Sequence, residues 1–242
     1  MRRSKACVLA SAVTLGLALG AVGPLQAAQV RDPFEPLNRS VFAFNDALDQ
    51  AVLRPVAQQY VRWVHPGIRQ VVGNVFSNLS DPWSAFNNLL QGKPVQALGD
   101  FARFGINTIF CLGGLGDLAS DLGLPRHNED FGQTLGVWGA PSGPYLVLPL
   151  LGPSSFRDAT GVVASWSADP VRQIQSEGDR TAMALMRVVD TRASLLPVDR
   201  LIEGAALDRY TFVRNAYLQR RLNLIYDGDP PEPPESDPGK EE

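Results

Sequence analysis

Four polar residues stand out by their spacing. Gln96, Asp100, Arg103 and Asn107 recur at intervals of four, three and four, which aligns them in one narrow stripe along an α-helix. The stripe supplies amide, carboxylate and guanidinium groups, suited to hydrogen bonding and charge pairing. Val95, Leu98, Phe101, Phe104, Ile106, Ile109 and Phe110 cover much of the remaining circumference. A surface helix of a soluble protein carries an apolar stripe and a generous polar face; here the proportions approach the reverse. The first helix repeats the pattern with Glu35, Asn38, Arg39, Asn45, Asp46 and Asp49, interrupted by Phe42. A short version sets Ser84, Asn87, Asn88 and Gln91 against Trp83, Phe86, Leu89 and Leu90.

Groups able to make or break bonds are few. The chain has two histidines. His65 precedes Pro66 at a helix break. His127 lies with Glu129 and Asp130 in a polar run, where a cation could be held, although a solvated loop accounts for the same residues. There is no H-E-x-x-H, C-x-x-C, Walker A or dinucleotide fingerprint, and no G-x-S-x-G elbow. Ser154 and Ser155, followed by Asp158, suit a helix N-cap. Cys111 stands in an apolar run and reads as a small hydrophobe. These residues point away from an enzyme. Asp117 and Asp121 lie between Gly113, Gly114 and Gly116 on one side and Gly123 on the other. That segment is either a short amphipathic helix with two solvated acids or a hinge or gate, because its glycines admit unusual backbone angles.

The elements expected to position these groups are helices. Phe34, Leu37, Val41, Phe44, Leu48 and Val52 share one face of a helix over 34–52. Further helices are expected at 55–64, 67–78 and 83–90, the last reset by Asp81-Pro82. Pro94 suits the first turn of a helix over 94–110. From Gly113 to Gly152 there are nine glycines and four prolines, a texture of loops and short helices that also admits a short hairpin. Helical pattern resumes at 156–166, 171–196 and 198–226. The fold class is all-α, with one Gly/Pro-rich loop region.

Charge divides the 242 residues into three regions. Residues 1–27 read as a secretory signal, with Arg2, Arg3 and Lys5, an apolar stretch from Ala6 to Val22, and Leu25-Gln26-Ala27-Ala28 as a cleavage pattern. Residues 227–242 hold five prolines and seven acids against Lys240, and are expected to be a disordered tail. The body, 28–226, balances its acids and bases. A neutral body excludes the dominant cationic footprint of a nucleic-acid binder. No segment after the signal has the run of apolar residues that a spanning helix needs, but the chain can still lie in a membrane interface. Two settings suit the inverted helices: a soluble periplasmic binding module with stripes facing water, or a lipid-embedded protein with stripes turned inward, since an Arg or Asp at a bilayer centre costs about 2.5–3.5 kcal/mol on insertion scales.

A family resemblance rests on motifs in fixed order. They are Asp32-Pro33-Phe34-Glu35-Pro36-Leu37-Asn38-Arg39, Phe42-Ala43-Phe44-Asn45, Arg54-Pro55 and Asn87-Asn88-Leu89-Leu90-Gln91-Gly92. Next come Arg103-Phe104-Gly105-Ile106-Asn107-Thr108, Gly113-Gly114-Leu115-Gly116-Asp117 and Phe131-Gly132-Gln133-Thr134-Leu135-Gly136. Gly143-Pro144-Tyr145-Leu146-Val147-Leu148-Pro149 and Gly152-Pro153-Ser154-Ser155-Phe156-Arg157-Asp158 close the series. Over about residues 32–226 the chain resembles the MlaA (VacJ) family of outer-membrane lipid-transport proteins. The resemblance implies a ring-shaped helical assembly in the periplasmic leaflet of the outer membrane, with a central polar channel. It implies phospholipid transport without bond chemistry or cofactor, delivery to a soluble periplasmic carrier (MlaC-like), and association with a trimeric porin. Gln96, Asp100, Arg103 and Asn107, with Asn38, Arg39, Asn45 and Asp46, would then line the channel. Gly113, Gly114, Gly116, Asp117, Asp121 and Gly123 would form its gating loop. Many family members carry a lipobox cysteine at the cleavage site; this chain has Leu25-Gln26-Ala27-Ala28 there.

Overall fold

The computed structural model describes residues 32–205 and 208–231. The expected signal at 1–27, and residues 232–242 of the expected tail, lie outside them. The described chain is predominantly helical. It runs α1 (Glu35–Leu48), a single π turn (Asp49–Leu53), α2 (Arg54–Trp63), α3 (Pro66–Leu90), α4 (Pro94–Phe110), α5 (Leu118–Asp121) and α6 (Phe131–Val137). A hairpin of β1 (Tyr145–Leu148) and β2 (Gly152–Ser155) follows, then α7 (Phe156–Ala168), a 3-10 turn (Pro170–Gln173), α8 (Glu177–Ala205) and α9 (Arg209–Ile225).

Three expected breaks do not occur. At Pro55 the chain widens into the π turn, where the Arg54 N–H reaches back five residues to the Asp49 carbonyl. This register absorbs the proline, which has no N–H to place. At Asp81-Pro82, α3 continues, so 67–78 and 83–90 are one helix of 25 residues. An interior proline costs about 3 kcal/mol or more. Here the polar residues around it, Asn78, Asp81, Ser84, Asn87 and Asn88, are buried, and α3 packs along α4 over the same stretch. At Pro197, α8 also continues. Arg192 clamps across that proline, donating from Nη2 to Asp199 at 2.6 Å and from Nε to Asp49 of the π turn at 2.6 Å.

The hairpin is antiparallel, with Tyr145 opposite Ser155 and Leu148 opposite Gly152. Its outer edge is closed by α1. Asn38 Nδ2 donates to the Tyr145 carbonyl and Asn38 Oδ1 accepts from the Val147 N–H, at 3.0 and 2.9 Å. Asn45, two turns on, repeats the pattern at the hairpin turn, donating to the Leu148 carbonyl at 3.0 Å and accepting from the Leu150 N–H at 2.8 Å. Both amides pair strand groups that would otherwise be left open.

Burial is inverted. The apolar core is small, built on Tyr145, Val147 and Tyr210 with Val41, Phe42, Tyr217 and Leu218 against them. The largest fully buried side chains are mostly polar and include Arg103, Gln133, Asn38, Asn78, Asn87 and Asn88. Large apolar side chains lie outside: Val95 is 81%, Leu112 78%, Trp63 76% and Phe110 70% exposed. A buried Leu or Phe side chain is worth about 1.5–3 kcal/mol against water, so a surface of this kind is stable only where something other than water covers it. Among the described residues no helix is long and apolar enough to cross a membrane.

Candidate functional site

Pro94 opens α4 at a position where its missing N–H costs nothing, and the helix turns its polar stripe inward. Asp100 and Arg103 have no exposed surface and Asn107 has 1%; Gln96, at the start of the stripe, is half-buried. The partners of the buried three are protein groups on α3 and on residues 117–127.

Asp117 is the centre of this network. It caps α5, accepting from the Ser120 N–H at 3.2 Å and from the Ser120 hydroxyl at 2.6 Å. Arg103 Nη2 donates to both of its oxygens, at 2.9 and 3.1 Å, and Asn107 Nδ2 adds a bond of 2.9 Å. Burial pushes the Asp117 carboxyl up, but the bonds from Ser120 and Asn107 and the Arg103 charge outweigh it and hold it at about 2. Arg103 Nη1 reaches the far end of the segment, donating to the Leu124 carbonyl at 2.6 Å and to Ser120 Oγ at 3.1 Å. Asn107 Oδ1 accepts from the Ala119 N–H at 3.0 Å. Two α4 side chains therefore grip the segment along its length.

The rest of the cluster joins α4 to α3. Asn88 Nδ2 donates to Asp100 at 2.8 Å, and His127 Nδ1 lies 2.9 Å from the other Asp100 oxygen. Asp81 is buried between Arg126 at 3.6 Å and Arg103 at 3.8 Å. Desolvation pushes its carboxyl up to about 6, against the pull of the two guanidiniums. Gly113, Gly114 and Gly123 have φ of +81°, +93° and +81°. At Gly114 a Cβ would also lie 2.7 Å from Asn78 Cβ, so both conformation and space demand glycine there. Gly116 packs on Cys111, with a Cβ position 3.2 Å from its Sγ. Asp121 is exposed.

The α1 residues hold neighbouring elements. Asn38 and Asn45 fix the hairpin. Arg39 pairs with Glu35 at 2.8 Å and Asp208 at 2.7 Å, and covers the Tyr210 ring at 4.4 Å. Asp46 accepts from Arg209 and from Gln50. The His127, Glu129 and Asp130 side chains diverge: Glu129 accepts from Gln91 at 2.9 Å, while Arg221 binds both oxygens of Asp130. Among the described residues no three His, Cys, Asp or Glu side chains are placed to share a metal.

Two cavities edged by charged and hydroxyl side chains were not anticipated from the sequence. One, of about 260 Å³, lies beside the network in which Arg221 joins Asp130 of α6's cap to Asp158 of α7, with Tyr217 donating to Asp158 at 2.6 Å. The other, of about 300 Å³, lies between α3 and α8 and is lined by Gly73, Phe76, Ser77, Ser80, Arg187, Asp190, Thr191 and Ser194. The available signal was spacing. Gly73, Ser77 and Ser80 share a face of α3, and Arg187, Asp190, Thr191 and Ser194 share a face of α8.

Apolar side chains outside and charge and amides inside, among the described residues, define a helical protein whose surface suits a lipid interface. The chain belongs to the MlaA lipoprotein family, whose model matches residues 30–224. It is 35% identical to the intermembrane phospholipid transport system lipoprotein MlaA of Escherichia coli over 209 residues, covering 82% of this chain and 80% of that one. With the Haemophilus influenzae protein of the same name it shares 34% over 218 residues, 88% and 86% of the two chains. An uncharacterised Rickettsia felis protein is 35% identical over 195 residues, 80% and 77% of the two chains. A solved structure, from work on the structural basis for maintenance of bacterial outer membrane lipid asymmetry, is similar with a TM-score of 0.71 and 35% identity, over 81% of this chain and 99% of that one. These relatives support an outer-membrane association for this chain.

Proposed function

We propose that this chain transports phospholipid without bond chemistry, removing mislocalised phospholipid from the outer leaflet of the outer membrane and passing it to a soluble periplasmic carrier of the MlaC type. The single observation that carries the reading is the inversion of burial: Arg103 and Asp100 fully enclosed while Val95, Leu98 and Phe110 stand in the open. The relatives named as phospholipid transport lipoproteins support it. In this reading residues 1–27 direct export, the described helices form a ring in the periplasmic leaflet beside a trimeric porin, and the apolar exterior meets acyl chains. The polar interior then bounds a passage. Asp100, Arg103 and Asn107, enclosed and paired with protein groups, brace its wall from behind with Asn38, Gln96, Arg39, Asn45 and Asp46 complete it, and 113–123 is the segment that shapes its opening. Attachment rests on the apolar exterior and the porin, since no lipobox cysteine stands near residue 27.

The test is restoration of lipid asymmetry in cells lacking their own family member. Outer-leaflet phospholipid is read by its accessibility to a phospholipase added outside. Expression of this chain lowers that accessibility, with the protein recovered in the outer-membrane fraction. Unchanged accessibility, or recovery in the soluble periplasmic fraction, contradicts the proposal and favours a soluble binding module.

A further inference from the structure

The cleft between α3 and α8 is separate from the Arg103 network and is built from two facing helix surfaces. On α3, Arg69, Gly73, Ser77 and Ser80 recur at intervals of four, four and three, which is one face. On α8, Arg187, Asp190, Thr191 and Ser194 do the same at three, one and three. Opposed polar faces with space between them are unexpected in a protein whose exterior is apolar, unless something polar occupies the space. The volume, about 300 Å³, is at the lower end of small-molecule sites. That is room for a headgroup.

The charges in the cleft are unequal in their freedom. Arg187 is held by both terminal nitrogens on Asp169, at 2.8 and 3.2 Å, with its guanidinium over Phe76. Its charge is balanced. Asp190 accepts one hydrogen bond, from the Tyr60 hydroxyl to Oδ1 at 3.0 Å, and makes no ion pair with a described residue. Its Oδ2 faces Gly73, where a Cβ would lie 3.6 Å away; the glycine leaves that oxygen uncovered on the α3 side. Ser77, Ser80, Thr191 and Ser194 line the same cleft, the Ser80 and Ser194 hydroxyls donating to the Ser77 and Thr191 carbonyls and keeping their oxygens as acceptors. Arg69, one turn before Gly73, has a buried Nε without a partner.

A free carboxylate oxygen among hydroxyls is a receptor for a cation that carries N–H donors. A primary ammonium has three. A trimethylammonium has none, and a glycerol group has no positive charge. We infer that the α3–α8 cleft reads the headgroup of the transported phospholipid, with Asp190 receiving a primary ammonium. Ethanolamine-type phospholipid is thereby preferred over choline and glycerol types. This rests on the phospholipid-transport reading above and adds its substrate preference.

The experiment uses the full mature chain, purified in detergent and exchanged into mixed micelles holding equal amounts of phosphatidylethanolamine, phosphatidylcholine and phosphatidylglycerol with matched acyl chains. Retained lipid is quantified by mass spectrometry. The wild-type protein is expected to retain phosphatidylethanolamine over either competitor by about fivefold, the ratio that one net hydrogen bond provides. In Asp190→Asn the ratio falls towards one. Gly73→Leu, which keeps the carboxylate and fills the space beside it, has the same effect and serves if the first variant does not fold. Equal retention of the three lipids by the wild type, or a preference that survives both substitutions, overturns the headgroup assignment and leaves transport standing. A wild-type protein that retains no phospholipid of any kind overturns the transport reading itself.

Discussion

Arg103 and Asp117, 14 residues apart, meet in a two-oxygen pair at 2.9 and 3.1 Å, with the arginine fully enclosed. The pair fastens the segment after α4 back onto that helix. Arg103→Glu places two carboxylates face to face in the interior. Removing one partner of a buried ion pair costs about 3–5 kcal/mol, and reversal costs more, so the variant is expected to lose cooperative unfolding and lipid transport together. Arg103→Lys keeps the charge but cannot reach Asp117, Ser120 and the Leu124 carbonyl at once; it should fold, with raised protease sensitivity confined to 113–124. Limited proteolysis with mass mapping separates the two. An Arg103→Glu protein with wild-type transport contradicts this role.

Gly114 is a second fastening. Its φ of +93° and the 2.7 Å approach to Asn78 both oppose a side chain. Gly114→Ala is expected to destabilise by at least about 1–3 kcal/mol, while Gly113→Ala, where nothing lies within 4 Å, carries the conformational cost alone. Thermal unfolding in one detergent should rank them in that order.

Asn45 satisfies two backbone groups at the hairpin turn. Asn45→Ala leaves the Leu148 carbonyl and the Leu150 N–H to water in place of that partner, at about 0.5–1.5 kcal/mol for each bond lost. The Leu150 N–H is expected to exchange faster with solvent deuterium, with the β1–β2 amides following. Unaltered exchange at Leu150 contradicts the assignment.

Asp81 makes stability depend on pH. Its carboxyl sits at about 6 in the folded chain, against an ordinary value of 3.8. The raised value means that the folded state holds the proton more tightly. The stabilisation is complete below about pH 4 and is lost as pH rises through 6. Asp81→Asn removes this dependence. The unfolding temperature of the wild type minus that of Asp81→Asn should fall between pH 4 and pH 7; a constant difference contradicts it. Asp117 acts in the opposite sense, its contribution present above about pH 4 and lost as pH falls through 2.

The polar stripe of α4 was legible because four polar residues at helical spacing are a local pattern; which way it turns was not, because stripes facing water and stripes facing inward share that spacing until α3 and residues 117–127 are in place. The hairpin was legible from glycine and proline density. The uninterrupted α3 and α8 were not. Local rules stop a helix at Pro82 and Pro197, whereas packing on α4 and the Arg192 clamp to Asp49 and Asp199 carry it through. Nor could spacing say that Arg103 finds Asp117, since the loop path between them is set by backbone angles at Gly113 and Gly114. The α3–α8 cleft escaped notice because Ser77, Ser80, Thr191 and Ser194 read as an ordinary polar face until the opposing helix is in place.

If the chain sits in lipid as proposed, the outer face of α4, with Leu98 and Phe110, meets acyl chains. Spin labels placed singly at Leu98→Cys and Phe110→Cys in the mature chain, with Cys111→Ala, report this directly in bilayers through collision with oxygen, which concentrates in lipid, and with a water-soluble nickel chelate. Oxygen-dominated relaxation is expected at both positions. Chelate-dominated relaxation at both, as for side chains in water, would contradict it.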